Sequence, residues 1–255
     1  MDNADSYARF VQNYSPYADA SRDLALRAGI GGEHVVIDLC GGTGVAAVTL
    51  LEGMPPHARI ISVDGSAAMQ EAGRRVYDDP RITWVTCKAE QLADHILEMV
   101  DAVVCNSAIW MTDTRATFAA VKAILRPGGR FVFNIPGRAA GLRDAAPALL
   151  EMIDVIARAD YGYVPPHDER LNRPLLPGLL QAQLAEAGFS TLETEIVAQP
   201  CSVEAMRAWL SIPCFARPAG QLRHEQRLEI LEKAYSLVDR NQVSHIEWFV
   251  AAATA

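Results

Sequence analysis

The sequence lacks the features of secreted, membrane-spanning and nucleic-acid-binding proteins. No apolar run reaches the roughly 20 residues that a transmembrane helix requires. The first residues, Met1 to Asp5, lack the basic start of a signal peptide. The formal net charge is −8, whereas a nucleic-acid partner favours a basic groove. We therefore expect a cytoplasmic protein that binds neither membranes nor nucleic acids.

Cysteine is also scarce, and its spacing excludes the usual frameworks. The five cysteines are an odd number, and no two of them form a C-x-x-C pair. Cys40, Cys87 and Cys105 fall within or at the ends of predicted buried strands. These residues are typical of a reduced apolar core rather than of disulfides or a zinc site. No metal site is expected.

The first half of the chain alternates between apolar strands and helices. The predicted strands are 35–39, 59–64, 82–87, 101–106 and 130–135, and the predicted helices are 44–53, 66–76, 90–98 and 114–125. Strands that recur at intervals of about twenty residues, with helices between them, indicate βαβ units and a parallel sheet.

The second half interrupts this alternation with two insertions. Helices are predicted at 145–158 and 175–187, a strand near 191–198, and a final strand at 243–253. The insertions, at about 138–173 and 201–242, are neither low in complexity nor charged enough to be disordered linkers. We expect an N-terminal helical segment, 1–30, and a domain, 31–255, that carries the insertions as helical lids.

The stretch VVIDLCGGTGVAAVTLLE, residues 35–52, predicts a strand, a tight glycine elbow and a helix. Its Gly42-x-Gly44-x-x-Ala47 spacing fits the loose dinucleotide pattern, but S-adenosylmethionine would also cross such an elbow. Asp38 favours the second ligand, because a carboxylate repels a pyrophosphate and attracts an ammonium or sulfonium group. A buried aspartate that only caps the turn is the structural alternative.

Polar residues follow the other predicted strands at the edge where open α/β sheets bind ligands. Asp64 ends the second strand and could accept both hydroxyls of a ribose. It could instead cap the next helix, although Ser66 is better placed for that. The remaining segments are Ala89-Glu90, Asn106-Ser107-Ala108-Ile109-Trp110 and the turn Leu125-Arg126-Pro127-Gly128-Gly129.

The order of five segments resembles that of class I S-adenosylmethionine-dependent methyltransferases. These segments are DLCGGTG, VDGS with Met69, CKAEQL, DAVVCNSAIW and LRPGG. The resemblance covers residues 30–136 well and, through AGF at 187–189, the closing strands more loosely. It implies an α/β fold with a Rossmann-like, seven-stranded, mostly parallel sheet and helices on both faces. The last strand would be antiparallel and inserted before the sixth.

The resemblance also implies S-adenosylmethionine as the cofactor. The implied cofactor-binding residues are Tyr14, Asp38, Cys40, Gly41, Gly42, Gly44, Asp64, Gly65, Met69, Ala89, Glu90, Asn106, Ser107 and Ala108. Two positions depart from the family pattern. Cys40 stands where the family commonly has glycine, and Lys88 stands where an acid often precedes Ala89. The adenine contact would then depend on the Ala89 backbone and the Glu90 carboxylate.

The favoured function is methyl transfer to a small-molecule acceptor, a specialised metabolite, with release of S-adenosylhomocysteine. The segment after the fourth strand lacks the N/D-P-P-Y motif of nucleic-acid amino-methylases and the paired glutamates of protein arginine methyltransferases. Asp113 has no acidic cluster beside it to hold a catechol-type metal. Two alternatives stay open: an NAD(P)-dependent oxidoreductase, which Asp38 and the LRPGG turn disfavour, and a non-methylating relative that binds the cofactor.

Two histidines are candidates for a catalytic base. An antiparallel last strand would begin beside the carboxyl ends of the parallel strands, with His245 and Glu247 on one face of its pleat. His167 lies in the proline-rich first insertion. A structural histidine is the alternative at both positions.

The acceptor itself is described only in outline by the sequence. An apolar substrate pocket is predicted from Trp110, Tyr161, Tyr163, Trp209 and Phe215, which could equally be core residues under a lid. The acceptor atom, whether oxygen, nitrogen or carbon, and the choice between monomer and homodimer are left open.

Overall fold

One seven-stranded sheet organises the chain. The computed structural model describes residues 3–32, 34–141, 148–165 and 175–255. The strands are β1 (Val35–Leu39), β2 (Arg59–Asp64), β3 (Ile82–Thr86), β4 (Val100–Cys105), β5 (Leu125–Pro136), β6 (Thr191–Ser202) and β7 (Val243–Thr254). Their order across the sheet is β3-β2-β1-β4-β5-β7-β6.

The strand directions confirm the predicted topology. Strands β1 to β5 pair in parallel, in register such as Ile37 with Ile61 and Asp38 with Val104. Strand β7 lies between β5 and β6 and is antiparallel to both. The sheet is therefore mostly parallel, with the last strand antiparallel and inserted before the sixth.

Helices cover both faces of this sheet. The described helices are α1 (Asn3–Asn13), α2 (Pro16–Ala28), α3 (Val45–Glu52), α4 (Ala67–Val76), α5 (Leu92–His95), α6 (Thr114–Ile124), α7 (Ala148–Tyr161), α8 (Pro177–Glu186), α9 (Val203–Leu210) and α10 (His224–Leu237). Leu24 of α2 and Leu50 of α3 are buried against one face. Phe118 of α6 and Leu180 of α8 are buried against the other. This three-layer arrangement confirms the predicted Rossmann-like α/β class.

Local signals in the sequence explain where several helices begin and end. Proline occupies the first position of α2, and Gly29 ends that helix in the left-handed conformation at φ 66°. Ser66 begins α4 by accepting a hydrogen bond from the Met69 N–H at 3.3 Å. Asp113 begins α6 in the same way through the Ala116 N–H.

Two predicted boundaries are wrong in detail. The helix predicted at 90–98 is only a 3₁₀ turn at Ala89–Gln91 followed by the four-residue α5. The fifth strand begins earlier than predicted, at Leu125, but its pairing with β4 jumps from Leu125 to Arg130. Residues 126–129 therefore bulge out of the ladder, with Gly128 at φ 80°, so the predicted turn lies inside the strand.

The described parts of the two insertions pack on each other. Leu149 and Ile153 of α7 share one core with Leu210 of α9 and with Ile230 and Leu231 of α10. We call this unit, α7 with α9 and α10, the lid cluster. Residues 142–147 and 166–174 of the first insertion lie outside the described residues.

The structure also bears on the expectations of reduced cysteines and of a chain without transmembrane helices. All five cysteines are free, and Cys87 and Cys105 are buried, which agrees with the interpretation of these two as reduced apolar residues. Within the described ranges, no helix combines the length and the apolarity needed to cross a membrane.

Candidate cofactor and acceptor site

The elbow between β1 and α3 brings the backbone close to its neighbours. A Cβ atom on Gly41 would lie 2.2 Å from Asp38 Oδ2, so no side chain fits there. Gly42 and Gly44 have φ values of 57° and 81°, which favour glycine. Cys40 is also left-handed, at φ 57°. The departure from the family glycine thus places a non-glycine residue in a strained conformation.

Asp38, at the end of β1, is fully buried beneath this elbow. Its Oδ2 accepts hydrogen bonds from the Ala47 N–H at 3.1 Å and from the Ser62 hydroxyl at 3.4 Å. Its Oδ1 is buried and has no partner in the described part of the chain. Burial raises the pKa of Asp38 to about 7, against the effect of the Ala47 hydrogen bond. A buried, unpartnered carboxylate oxygen fits a site that receives a donor or a cation.

Asp64, at the end of β2, holds the elbow from the other side. Its Oδ2 accepts from the Gly42 N–H at 2.9 Å, and its Oδ1 accepts from the Ser66 N–H at 2.7 Å. Burial raises the pKa of this carboxyl as well. Ser66 rather than Asp64 caps α4, as the sequence predicts. Two carboxyl groups therefore flank one glycine turn.

The ends of β3 and β4 contribute the next predicted residues. Ala89 is buried, and one oxygen of Glu90 accepts from the Asp113 N–H at 2.8 Å. Asn106 points towards α2, where its amide donates to the Tyr17 carbonyl and the Ser21 hydroxyl at 2.9 and 2.8 Å. The carboxyl end of β4 is thereby fastened to α2.

The neighbouring residues complete this edge of the sheet. Ser107 is left-handed at φ 64°, and its N–H donates to Asn134 Oδ1 at 2.6 Å. Ala108 is buried, whereas Gly65 is exposed and Met69 is half-buried. The predicted cofactor-binding residues of the four strand ends thus lie along one edge of the sheet, as parallel strands require.

Aromatic rings cover the elbow. We call six residues the aromatic cluster: Tyr7, Phe10, Tyr14, Tyr17, Trp209 and Phe215. A Cβ atom on Gly42 would lie 3.8 Å from the Tyr7 ring. The rings of Tyr7 and Tyr17 are 5.7 Å apart, and those of Trp209 and Phe215 stack at 4.7 Å. The Trp209 indole N–H donates to the Tyr17 hydroxyl at 3.2 Å.

The structure brings together some of the predicted substrate residues and not others. Trp209 and Phe215 belong to the aromatic cluster, and the predicted cofactor residue Tyr14 stacks on Phe10 at 5.3 Å. Trp110 is 38% exposed near the end of β4, and its indole N–H donates to the Ser107 carbonyl.

The other two tyrosines lie in the lid cluster. The Tyr161 hydroxyl donates to Glu229 at 2.9 Å, and the Tyr163 hydroxyl donates to the Ala219 carbonyl at 2.6 Å. Both hydroxyls are thus engaged by lid residues, and a substrate role for them stays a prediction.

Of the two candidate bases, one can be placed. His245 is exposed in β7 and pairs with Pro200 of β6. The pairing of β7 with β5 begins only at Trp248, which pairs with Pro136, so His245 has no β5 residue opposite it in the described ladder. By the alternation of the strand, it lies on the face opposite Trp248, whose ring is 6.4 Å from that of Tyr17. A catalytic role for His245 stays a prediction. His167 lies outside the described residues.

Sequence reasoning missed Tyr7, Tyr17 and Asn134. Tyr7 and Tyr17 stand at helical spacing with Phe10 and Tyr14, a signal that indicates only one apolar helix face. Asn134 had no signal beyond its place near the end of a predicted strand. Among the described residues, no group of three or more histidine, cysteine or acidic side chains could hold a metal ion.

Comparison with known proteins shows which proteins this chain resembles. Residues 36–129 match the model of a family described as a methyltransferase domain. Over 98 residues, the chain is 34% identical to the malonyl-[acyl-carrier protein] O-methyltransferase of Hahella chejuensis. The match covers 38% of this chain and 34% of that protein, so it spans about a third of the length of this curated relative.

Solved structures share the whole fold. YcgJ of Bacillus subtilis has a TM-score of 0.58 at 16% identity, over 92% of this chain and 97% of its own. A protein described as an antibiotic-pathway methyltransferase, from Anabaena variabilis, has a TM-score of 0.61 at 18% identity, over 94% and 98%. Phosphoethanolamine N-methyltransferase 2 of Haemonchus contortus has a TM-score of 0.55 at 16% identity, over 92% and 52%.

At these identities the structural likeness establishes the fold alone. The domain match, which runs from β1 into β5, adds a likeness to methyltransferase domains for that segment. The strand order, the glycine elbow and the two carboxyl groups beside it are consistent with both. The chain thus combines a Rossmann-like fold with a segment, residues 36–129, that matches the methyltransferase-domain family.

Proposed function

We propose that the chain transfers the methyl group of S-adenosylmethionine to a small-molecule acceptor of apolar or aromatic character and releases S-adenosylhomocysteine. The two carboxyl groups at the glycine elbow carry this proposal. Asp38 is buried with one free oxygen, and Asp64 holds the Gly42 backbone. Such a pair repels a pyrophosphate and attracts the cationic groups of S-adenosylmethionine.

The residues at the strand ends fit the parts of this cofactor. The free oxygen of Asp38 suits an ammonium group, and the open space beside Gly42 admits a ligand close to the backbone. Asp64 would hold the ribose hydroxyls, and the buried segment at Ala89 would contact the adenine. When bound, S-adenosylmethionine supplies an electrophilic methyl group on a sulfonium sulfur.

The aromatic cluster supports an apolar acceptor. Its rings come from α1, the connection to α2, α2 itself, α9 and the segment after α9, and they meet beside the elbow. Such a cover excludes water and holds the acceptor in line with the methyl group, and orientation can supply ~7–11 kcal/mol of a barrier. Burial raises the pKa of Tyr17 to about 12, so at neutral pH its hydroxyl stays protonated and uncharged.

The proposal is tested by measuring S-adenosylhomocysteine formation with a library of metabolites. The library contains hydroxyl, amine and activated-carbon acceptors of apolar and aromatic character, and a separate arm contains a carrier-bound malonyl thioester. We expect turnover with at least one free small molecule. The Asp64→Ala variant should bind S-adenosylmethionine more weakly by ~1.5–3 kcal/mol, the range for hydrogen bonds to a charged group.

The two alternative functions predict different results in cofactor-binding measurements and in the turnover assay. Binding of NADPH without binding of S-adenosylmethionine would support the oxidoreductase. Tight binding of S-adenosylmethionine without turnover in any arm would support the non-methylating relative. Turnover with the carrier-bound thioester alone would contradict a free small molecule as the acceptor.

A further inference from the structure

Tyr7 occupies a position at the cofactor elbow that the predicted binding residues do not include. It lies on α1, and its ring carbon Cε1 is 3.8 Å from where a Gly42 Cβ would stand. Tyr7 is also close enough to Asp38 and Asp64 for both carboxyl groups to affect its ionisation. A ligand that spans the elbow from Asp38 to Asp64 would therefore contact this ring.

Neighbouring rings hold the Tyr7 side chain in place. Its centroid is 5.7 Å from that of Tyr17, with the planes tilted by 60°, and 6.2 Å from that of Phe215, with the planes tilted by 58°. These tilted contacts restrict rotation of the ring without a flat stack. The orientation of Tyr7 is thus set before a ligand binds, which lowers the entropic cost of using it as a contact.

The chemistry of Tyr7 suits a cation. Burial is the main reason that the pKa of its phenol lies well above the ordinary value, so the ring stays neutral. A neutral aromatic face attracts a cation through its quadrupole, most strongly where water is excluded. The carboxyl groups beside it give the site the same preference for positive charge.

We propose that Tyr7 is a specificity-determining residue that contacts the sulfonium end of the cofactor and favours S-adenosylmethionine over S-adenosylhomocysteine. This inference rests on the proposed function, since it takes S-adenosylmethionine as the ligand of the elbow. The two molecules differ by one methyl group and one positive charge. A residue that recognises the charge binds the substrate form more tightly and lets the product form leave.

The test compares dissociation constants, measured by calorimetry, for the wild type and for the Tyr7→Phe and Tyr7→Leu variants. The ligands are S-adenosylmethionine, S-adenosylhomocysteine and sinefungin, which carries an ammonium group in place of the sulfonium. In Tyr7→Leu, we expect the preference for the two charged ligands over S-adenosylhomocysteine to fall about fivefold to thirtyfold, the equivalent of ~1–2 kcal/mol. In Tyr7→Phe, which keeps the ring, the preference should stay within about twofold.

Val11→Ala is the matched control, because Val11 is buried on the same helix but is not one of the rings of the aromatic cluster. This variant should keep the preference even where its melting temperature falls. Equal weakening of all three ligands in Tyr7→Leu would overturn the proposal and assign Tyr7 to packing alone. An unchanged preference would also overturn it. Failure of the wild type to bind S-adenosylmethionine would instead refute the proposed function.

Discussion

Asp38 combines burial, an unpartnered oxygen and a neighbouring carboxyl group in one side chain. No solvent reaches it, and Asp64 lies on the other side of the glycine elbow. Burial raises its pKa to about 7, so the protonated and ionised forms are both populated near neutrality in the cofactor-free protein. A bound cation would stabilise only the ionised form.

The stability of the cofactor-free protein should therefore depend on pH through Asp38. In the unfolded chain an aspartate has a pKa of ~3.9, well below the folded value. The protonated form stabilises the fold fully below about pH 4, and this stabilisation is lost as the pH rises to about 7. We expect the melting temperature of the wild type to fall, relative to that of Asp38→Asn, between these two values.

The affinity for S-adenosylmethionine should change with pH in the opposite direction. Binding requires the carboxylate, so the affinity should rise by up to about tenfold per pH unit below pH 7 and level off above it. Asp38→Asn should bind weakly at every pH. Melting curves and calorimetry from pH 4 to 8.5 measure both effects. A constant difference in melting temperature between the two proteins would contradict the assignment of the titration to Asp38.

Residues within a short motif could be predicted, and contacts between distant segments could not. Asp38 and the elbow glycines share one stretch of sequence, so spacing alone indicates their role. The contact of Tyr7 with Gly42 depends instead on how α1 packs against α4. Glu90 shows the same limit, because its hydrogen bond to the Asp113 N–H joins two elements that the sequence does not place side by side.

At the scale of elements, the polar contacts that fasten α1 over the cofactor elbow are exposed. Asp5 of α1 pairs with Arg75 of α4 at 2.8 Å, and both side chains are more than half exposed. Asn3 accepts a hydrogen bond from the Cys214 N–H at 3.2 Å. The buried core under α1 contains Phe10 and Val11 and continues into the aromatic cluster. Such an element can open at low cost while the sheet stays folded.

Loss of the Asp5–Arg75 pair should therefore speed cofactor exchange. An exposed pair is worth ~0.2–1 kcal/mol, so Arg75→Gln should raise the dissociation rate of S-adenosylmethionine by up to about fivefold at low salt. Added salt screens the pair, and the wild-type rate should then approach that of the variant. Stopped-flow fluorescence at two ionic strengths measures both rates.

Arg22→Gln is the control, because Arg22 has similar exposure and its ion pairs within the described residues are with Asp19 of α2 and Glu52 of α3. This variant should leave the dissociation rate unchanged. Equal rates for the two variants would show that α1 does not control cofactor exchange.

At the scale of the molecule, the lid cluster and the sheet meet at the aromatic cluster. Trp209 of α9 packs in both the lid cluster and the aromatic cluster. Its indole N–H reaches Tyr17 of α2, which Asn106 ties to the end of β4. One chain of contacts thus connects the lid to the edge of the sheet where the cofactor would bind.

The sheet and its helices could be predicted from regular spacing in the sequence, and the lid cluster has no such spacing. The regular spacing of β1 to β5 and their helices specifies a parallel sheet, and the resemblance supplies the position of β7. No such pattern relates the two insertions, and their mutual packing arises from apolar side chains that are distant in sequence, such as Ile153 and Ile230. Their helical character could be predicted, but their shared core could not.

The acceptor should lie under the lid, and Trp209 tests this. It stacks on Phe215 at 4.7 Å and donates to Tyr17, but Tyr7 stands between this pair and the elbow glycines. Trp209→Ala should therefore lower kcat/KM for methyl transfer by at least tenfold, while the affinity for S-adenosylmethionine stays within about threefold, a difference under ~1 kcal/mol. Tyr235→Ala, a lid substitution between Arg207 and Arg240, is the control and should preserve turnover. Full turnover in Trp209→Ala would place the acceptor elsewhere, most simply beside α1.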